Sequence, residues 1–476
     1  MHFTRHERRP WVITLSAWIA IFAVGCVPAS APSFMPALAH DAVVRSEPTP
    51  RPFAAETNSW TCDGVAEHLS ALGPPSARPY PLRGDPSFDA TSLAAGARLW
   101  YDLLWDAVED PAAAERATAL AASDDLYEYG RTLHTHVLAL LTAFRVTGDL
   151  ALLDEVDRLA EHMRSRLRDP WRGTSDGTDG TRDGYLNWVY RQGDAPSLRG
   201  KDLFAFNEMR THALVAEITA ALHANRDLTS PNGVDYGRSA DAWIELLLRH
   251  FEPKWRARND TPRSAFPFLE HSSMHATAAF VKYHHYLSVV LGEADRDREA
   301  RRLADLVLDA FVFVPTDAGP SVVWPGRVPT PEDSDRELNA TTYARYVVGD
   351  VIDLHLDGRD RFRDPALAAA LAVTVRSFVF QMGDGTPTFA ADIGGGVAQA
   401  EMRPPDPDRL STFTVERYVA SGLALVSPWD PTGLVAAWSC AAYREAATEM
   451  QSVWIPSALL LAFAVERQPS EPSSKP

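Results

Sequence analysis

Five clusters of polar side chains open apolar, helix-like runs along the chain. They are centred on His134 and His136, Arg210 and His212, His271 and His275, Asn339 and Tyr343, and Glu416 and Tyr418. Histidine and tyrosine transfer protons, whereas asparagine and arginine donate hydrogen bonds to a negatively charged group. The clusters at 207–210, 271–275 and 339–343 supply these groups, so we expect the chemistry there. The clusters at 134–136 and 416–418 are expected to form walls of the same cleft.

The spacing within these three clusters suits helices. Asn207 and Arg210 are three residues apart, Asn339 and Tyr343 are four apart, and the histidines of 271–275 are also four apart. Side chains at these separations share one face of a helix. Equivalent helix ends of stacked helical hairpins would face one cavity. The sequence therefore predicts a single site built from distant segments.

The elements that must position these residues are pairs of helices. Apolar residues recur at helical spacing and are interrupted by turns rich in Gly or Asp, which gives helical pairs at 92–121, 134–163, 208–256, 274–312, 340–381 and 412–464. Each pair exposes an apolar face that has to pack on a neighbour. Long loops at 169–200, 313–335 and 382–410 favour a closed ring over a linear solenoid. We predict one all-α domain over 59–467, an (α/α) toroid of six or seven hairpins with long rim loops and small strands near 382–410.

The overall composition argues against some function classes. The 476 residues are 46% hydrophobic, enough for a large core, and carry a formal net charge of −17. Because nucleic-acid binding needs a basic surface, we predict no nucleic-acid partner. Two histidines at 271 and 275 have the spacing of zinc ligands, but Ser272 stands where zinc peptidases carry a glutamate. We therefore expect no metal and no cofactor, although the Asp- and Gly-rich loop at 176–183 leaves a structural calcium ion open.

The N-terminus is typical of an export signal. Basic residues at 5–9 precede an apolar stretch over 11–24, which is short for a membrane span. The sequence Ala23-Val24-Gly25-Cys26 is close to a lipoprotein cleavage box, with ordinary cleavage near 29–31 or 37–39 and a retained anchor as alternatives. We predict a signal peptide over 1–25, a tether over 26–58 and a disordered tail over 468–476. The body is expected outside the cytoplasm as a monomer, with a lipid anchor at Cys26 as its membrane contact.

The remaining cysteines lie near the two ends of the predicted body. Cys62 and Cys440 could form a disulfide in an oxidising compartment, or stay buried free thiols. Two cysteines this far apart give no zinc signature. The sequence leaves both states open.

The whole pattern resembles the (α/α)-toroid polysaccharide lyases, the broad group that contains alginate and glucuronan lyases. The resemblance covers roughly residues 92–465 and rests on the architecture together with the polar clusters. The Asn-Asn-His run of the common alginate-lyase type is absent, and His271-Ser272-Ser273-Met274-His275 stands in the comparable region. The resemblance implies β-elimination on an acidic polysaccharide.

That reaction assigns roles to the clusters. Removing the C5 proton of a uronate requires its carboxylate to be neutralised, and Asn207 with Arg210 or Asn339 would do this. Tyr343 would be the base and acid, with His271 as its partner base or as a further neutralising group. The residues expected to bind substrate are His275, Asn339, His212, His136, Trp188, Tyr185, Trp324 and Arg345.

Other interpretations fit the same residues. Each histidine could cap a helix, Tyr343 could be a core aromatic, and Trp188 could anchor its loop. A toroid glycoside hydrolase would need two facing carboxyl groups, with candidates Glu208, Glu270, Asp350 and Glu416. A glycan-binding surface lipoprotein without catalysis is the third hypothesis.

Overall fold

The computed structural model of the protein describes residues 61–170, 182–191, 205–257, 273–329, 336–359, 361–383, 386–405, 422–445 and 451–467. The predicted signal peptide, tether and tail lie outside the described residues. So do His271, Cys26 and the cluster at 416–418.

Helices dominate the described part of the chain, as predicted. They are α1 (Cys62–Ala71), α2 (Ala95–Glu109), α3 (Pro111–Ala121), α4 (Leu126–Glu128), α5 (His134–Thr147), α6 (Leu150–Arg164), α7 (Ala205–Ala224), α8 (Tyr236–Leu246), α9 (Glu252–Ala257), α10 (Met274–Leu291), α11 (Ala294–Asp309), α12 (Thr341–Leu356), α13 (Pro365–Thr374), α14 (Leu434–Glu445) and α15 (Gln451–Ala464). Short 3₁₀ helices cover Ala90–Ser92 and Gly422–Trp429. π-Helical turns cover Tyr129–Leu133, Leu247–Phe251 and Val375–Val379.

The strands of the described residues form three small two-stranded sheets. β1 (Val312–Thr316) pairs antiparallel with β2 (Gly319–Val323), and β4 (Phe380–Gly383) pairs antiparallel with β5 (Thr386–Phe389). β3 (Arg336–Glu337) runs parallel to β6 (Met402–Arg403). Small strands thus occur near 382–410, where the sequence predicted them, and a hairpin also forms in the 313–335 loop.

The inner helices end where glycine permits a left-handed turn. α5 ends at Gly148, with φ 74°, and Asp149 then caps α6 by accepting a hydrogen bond from the backbone of Ala151. α10 ends in the same way at Gly292, with φ 66°. A residue with a side chain is strained in this conformation, so these breaks in the apolar pattern fix the corners of the hairpins.

Six elements form an inner layer. α5 packs on α7, α7 on α10, α10 on α12, α12 on the 3₁₀ helix Gly422–Trp429, that helix on α15, and α15 again on α5. α10 is buried along almost its whole length, whereas α11, which packs outside it, buries only one stripe. A helix that is apolar on all sides needs neighbours on all sides, so the sequence itself separates inner from outer helices.

The ends of the described body are joined covalently. Cys62 in α1 and Cys440 in α14 form a disulfide across a sequence separation of 378 residues. This is one of the two states that the sequence left open. No helix in the described residues is both long enough and apolar enough to span a membrane.

Candidate functional site

The site lies at the beginnings of the inner helices α5, α7, α10 and α12. The extended segment 324–326 aligns the beginnings of α10 and α12 by hydrogen bonding to both. Its Trp324 carbonyl accepts a hydrogen bond from Asn339 just before α12, at 3.0 Å, and its Gly326 carbonyl accepts one from Met274 at the start of α10, also at 3.0 Å. His275 and Tyr343 consequently meet, although 68 positions separate them in the sequence.

Two arginines lie against the phenol ring of Tyr346, and the charge of a third acts on it. The guanidinium carbon of Arg210 lies 3.7 Å from the ring centroid, and that of Arg345 lies 4.4 Å from it. Arg345 also donates a hydrogen bond to the Tyr346 hydroxyl. Arg131, from the π-helical turn before α5, adds a third positive charge that acts on Tyr346. Among the described residues, no carboxylate lies within ion-pair distance of Arg131 or Arg210.

The positive charges change the acidity of the phenol. Burial by itself raises the pKa of Tyr346, but Arg345, Arg210 and Arg131 outweigh burial, so the pKa lies below its ordinary value of 10.0. Burial lowers the pKa of the Arg210 guanidinium to about 10. At neutral pH, Arg210 is therefore charged, and Tyr346 ionises more readily than an ordinary tyrosine.

Two histidines of the cluster are neutral. Burial and the charge of Arg210 hold the pKa values of His134 and His275 well below 6.5. His134 Nδ1 lies 2.9 Å from Arg210 Nη2, and because arginine only donates, His134 Nδ1 must accept and carry no proton. His275 Nε2 lies 3.1 Å from Ser273 Oγ, while its buried Nδ1 has no hydrogen-bond partner. Both imidazoles can therefore act as acceptors at neutral pH.

A stack of two rings forms one wall of the cluster. The His275 and Tyr343 rings are nearly parallel, with an interplanar angle of 8° and centroids 4.7 Å apart. Phe206 meets the His275 ring edge-on at 4.3 Å. Tyr343 and Arg131 are half-buried, whereas His275, Arg210 and Tyr346 are buried. A ligand would therefore approach from the side of Tyr343 and Arg131.

Asn207 lies beside this cluster in the first turn of α7. It is fully buried, and neither its amide oxygen nor its amide nitrogen has a hydrogen-bond partner. A Cβ atom on Gly130 would lie 2.6 Å from the Asn207 carbonyl oxygen, so a residue without a side chain is needed there. This close approach brings the turn that carries Arg131 against the helix that carries Arg210.

The cluster encloses a small cavity of about 10 Å³, on the order of the space that one water molecule needs. Its lining includes His134, Arg210, Arg345, Tyr346 and Asp350. A sugar ring does not fit inside it. A ligand larger than water would instead contact the cluster from its half-buried side, with individual polar groups reaching inward.

Four of the residues proposed from the sequence thus come together, namely Arg210, His275, Tyr343 and Arg345. His134, which was expected in a wall of the cleft, lines the same cavity, whereas Arg131 and Tyr346 were not expected from the sequence. The signal for them was present, since Arg131 precedes His134 by three residues and Tyr346 follows Tyr343 by three. Helical spacing from an already selected residue would have found both.

His212 and Trp188 belong to a different buried cluster. His212 stacks on Phe251, with ring centroids 4.0 Å apart, and its Nε2 lies 3.2 Å from the side-chain oxygen of Asn187. The Trp188 indole donates to the backbone carbonyl of Met163 at 2.8 Å and is fully buried. Trp188 therefore anchors the 182–191 segment in the core instead of standing exposed at a rim.

The other residues that were expected to bind substrate do not join the cluster around Tyr346. His136 is half-buried and its charged neighbours are Glu155 and Arg158 of α6, so it faces the outer layer. Trp324 is fully buried against Phe311, with ring centroids 5.1 Å apart, and is not exposed to a ligand. Asn339 is buried with an unpartnered amide, and Tyr185 is half-buried.

The described residues contain no group of three or more His, Cys, Asp or Glu side chains arranged to hold a metal ion. Comparison with known proteins adds no assignment at this point. The chain matches no protein-family model, no curated protein and no solved structure.

Proposed function

We propose that the protein is a polysaccharide lyase that cleaves a uronate-containing chain by β-elimination at this cluster. The observation that carries the proposal is the positive charge of Arg210, Arg345 and Arg131 acting on Tyr346, with no carboxylate of the described residues paired to Arg131 or Arg210. In a protein of net charge −17, such a local excess of positive charge calls for an anionic ligand. A uronate supplies a carboxylate next to the proton that the reaction removes.

The closed arrangement of the helices is part of the same proposal. The inner layer returns from α15 to α5, and its six elements alternate with outer helices along the chain. We take this as an (α/α) toroid with six inner elements. Such a ring collects helix beginnings at one end, which is how a site arises from segments distant in sequence.

The chain's own residues would divide the reaction as follows. Arg210 and Arg131 bind the carboxylate and stabilise the charge that develops when the C5 proton leaves. The Tyr346 phenolate takes that proton, the C4–O bond breaks as a C4–C5 double bond forms, and the Tyr346 phenol returns the proton to the leaving oxygen. The His275–Tyr343 stack contacts the sugar, and neutral His275 accepts a hydrogen bond from it.

Of the four carboxyl groups considered for hydrolysis, Glu270 and Glu416 lie outside the described residues, and Asp350 and Glu208 lie in different clusters. Paired-carboxylate glycosidases need two acids facing each other across the bond. Among the described residues that line the cavity, Asp350 is the one carboxylic acid. Glu208, another candidate, is buried and bound to Lys254 and Asn187.

The direct experiment is incubation of the purified protein with alginate, glucuronan and glycosaminoglycans. The unsaturated product of β-elimination absorbs ultraviolet light, so its formation is followed continuously. We expect product from at least one of these polymers. Arg131→Gln should abolish most of the activity while Arg158→Gln, a substitution on the outer helix α6, should leave it intact. A folded protein that yields no unsaturated product from any uronate polymer would overturn the proposal.

A further inference from the structure

A buried chain of ion pairs lies one level below the site. Arg145 of α5 binds Glu217 of α7 at 3.1 Å, Glu217 binds Lys282 of α10 at 2.8 Å, and Lys282 binds Asp353 of α12 at 2.6 Å. All four side chains are at most 1% exposed. The chain thus joins the four inner helices that carry the candidate site.

These ion pairs repeat the spacing of the site above them. Glu217 follows Arg210 by seven residues, Lys282 follows His275 by seven, and Asp353 follows Tyr346 by seven. Seven residues are about two turns, so both members of each pair lie on one face, about 10.5 Å apart along the axis. Arg210, His275 and Tyr346 therefore each lie two helical turns from one member of the ion-pair chain.

Lys282 occupies the central position. Its ammonium group binds Glu217 and Asp353 directly and lies 3.6 Å from Asp350, which lines the cavity. Glu217 and Asp353 belong to α7 and α12, the helices that bring Arg210 within 3.7 Å of the Tyr346 ring. Two turns of helix are stiff. Holding Glu217 and Asp353 in place therefore also fixes the separation of Arg210 and Tyr346.

We propose that Lys282 is a positioning residue that holds Arg210 against Tyr346 by clamping α7 to α12. It contacts no substrate in this arrangement and acts through the two helices. The proposed lyase function gives the clamp its purpose, but the contact that it maintains can be measured without any activity.

The test uses the full chain with the clamp neutralised as a unit, in the variant Glu217→Gln/Lys282→Met/Asp353→Asn. Removing Lys282 alone would leave the buried Asp353 carboxylate without its ion-pair partner and Glu217 with Arg145 only, whereas replacing the three groups together reduces that penalty. The matched control is Glu252→Gln/Arg296→Met, which neutralises an ion pair between buried Glu252 of α9 and half-buried Arg296 of α11 in the outer layer. Cooperative thermal unfolding establishes that both variants fold.

The readout is the ionisation of Tyr346, obtained as the difference between ultraviolet titrations of each protein with and without Tyr346→Phe. The groups that act on this phenol are Arg345 on its own helix, Arg210 on α7, Arg131 on the π-helical turn and neutral His275 on α10. If Arg210 moves away when the clamp is removed, the pKa of Tyr346 should rise by about one pH unit. The control variant should leave it unchanged.

The direction in which the pKa of Tyr346 changes distinguishes positioning from a direct charge effect. Neutralising two carboxylates and one ammonium group removes net negative charge from the region, which by itself would lower the pKa of Tyr346. A pKa that stays constant or falls in the folded triple variant would overturn the proposal. If the triple variant does not fold, Asp353→Asn decides by the same criterion, since it removes the shorter of the two contacts that Lys282 makes with α12, at 2.6 Å against 3.6 Å for Asp350.

Activity supplies a separate outcome. With a uronate polymer that the wild type cleaves, the triple variant should lose about tenfold or more in kcat/KM, mainly through kcat, since a small misplacement of reacting groups is costly. If the wild type cleaves no such polymer, the proposed function fails while the tyrosine titration still decides the role of Lys282.

Discussion

At the scale of single residues, the two tyrosines of α12 are the most informative pair. Tyr346 lies against the guanidiniums of Arg210 and Arg345 and is acted on by the charge of Arg131, whereas Tyr343 is half-buried and stacks on His275. We expect Tyr346→Phe to lower kcat by a factor of about 10²–10⁴, the usual contribution of proton transfer. Tyr343→Phe should mainly raise KM. The measurement is steady-state formation of unsaturated product.

A third substitution checks that the loss is specific. The buried Tyr101 hydroxyl binds Asp149 at 2.7 Å, away from the cluster, so Tyr101→Phe removes a comparable hydrogen bond without touching the site. Its kcat should equal that of the wild type. A larger loss in Tyr343→Phe than in Tyr346→Phe would transfer the proton-transfer role to Tyr343.

The neutral histidines make stability dependent on pH. His134 and His275 have folded-state pKa values well below the ordinary 6.5, so below pH 6.5 the unfolded chain binds protons that the folded chain does not. The free energy of unfolding must therefore fall as pH decreases from 6.5, by about 1.4 kcal/mol per pH unit for each histidine. Urea unfolding between pH 7 and pH 5 measures this slope. His275→Gln should reduce the slope by the contribution of one proton, about 1.4 kcal/mol per pH unit. An unchanged slope would contradict the neutral state of His275 in the folded protein.

At the scale of elements, the contact between α12 and the 3₁₀ helix Gly422–Trp429 depends on glycine. A Cβ on Gly422 would collide with the carbonyl oxygen of Arg345, whereas one on Gly349 would meet Gly422 at an ordinary 3.6 Å. We expect Gly422→Ala to lower the free energy of unfolding by about 1–3 kcal/mol through overpacking.

Gly349→Ala is the matched control for that prediction. It lies within α12 and should be neutral or stabilise by up to about 1 kcal/mol, because alanine favours helix more than glycine does. Denaturant unfolding of both variants provides the comparison. Equal stabilities for the two would show that the helices do not approach as closely as this geometry requires.

At the scale of the whole molecule, the Cys62–Cys440 disulfide joins the first and last helical parts of the described body. Closing a loop of 378 residues restricts the unfolded chain strongly. Cys62→Ser/Cys440→Ser should therefore unfold with a free energy lower by roughly 2–5 kcal/mol. Reduction of the wild type should bring its stability to that of the double variant. Equal stability before and after reduction would contradict a stabilising bridge.

The sequence by itself determined the helical character and the corners of the hairpins. Apolar residues at helical spacing and breaks such as Gly148 and Gly292 act through local chemistry, and the structure has its helix ends there. The selection of Arg210, His275, Tyr343 and Arg345 also came from local pattern, because side chains near helix beginnings share faces at known spacings.

The tertiary structure decided which of those faces meet. His212 and His136 have the same residue type and similar local spacing as His275, yet one stacks on Phe251 in the core and the other faces the outer layer. Tyr346 gained its role from arginines that lie 136 and 215 positions earlier in the chain. The direction of a side chain across a helix pair depends on packing, and the pKa depends on charges brought near by that packing. Neither quantity is written in the local sequence.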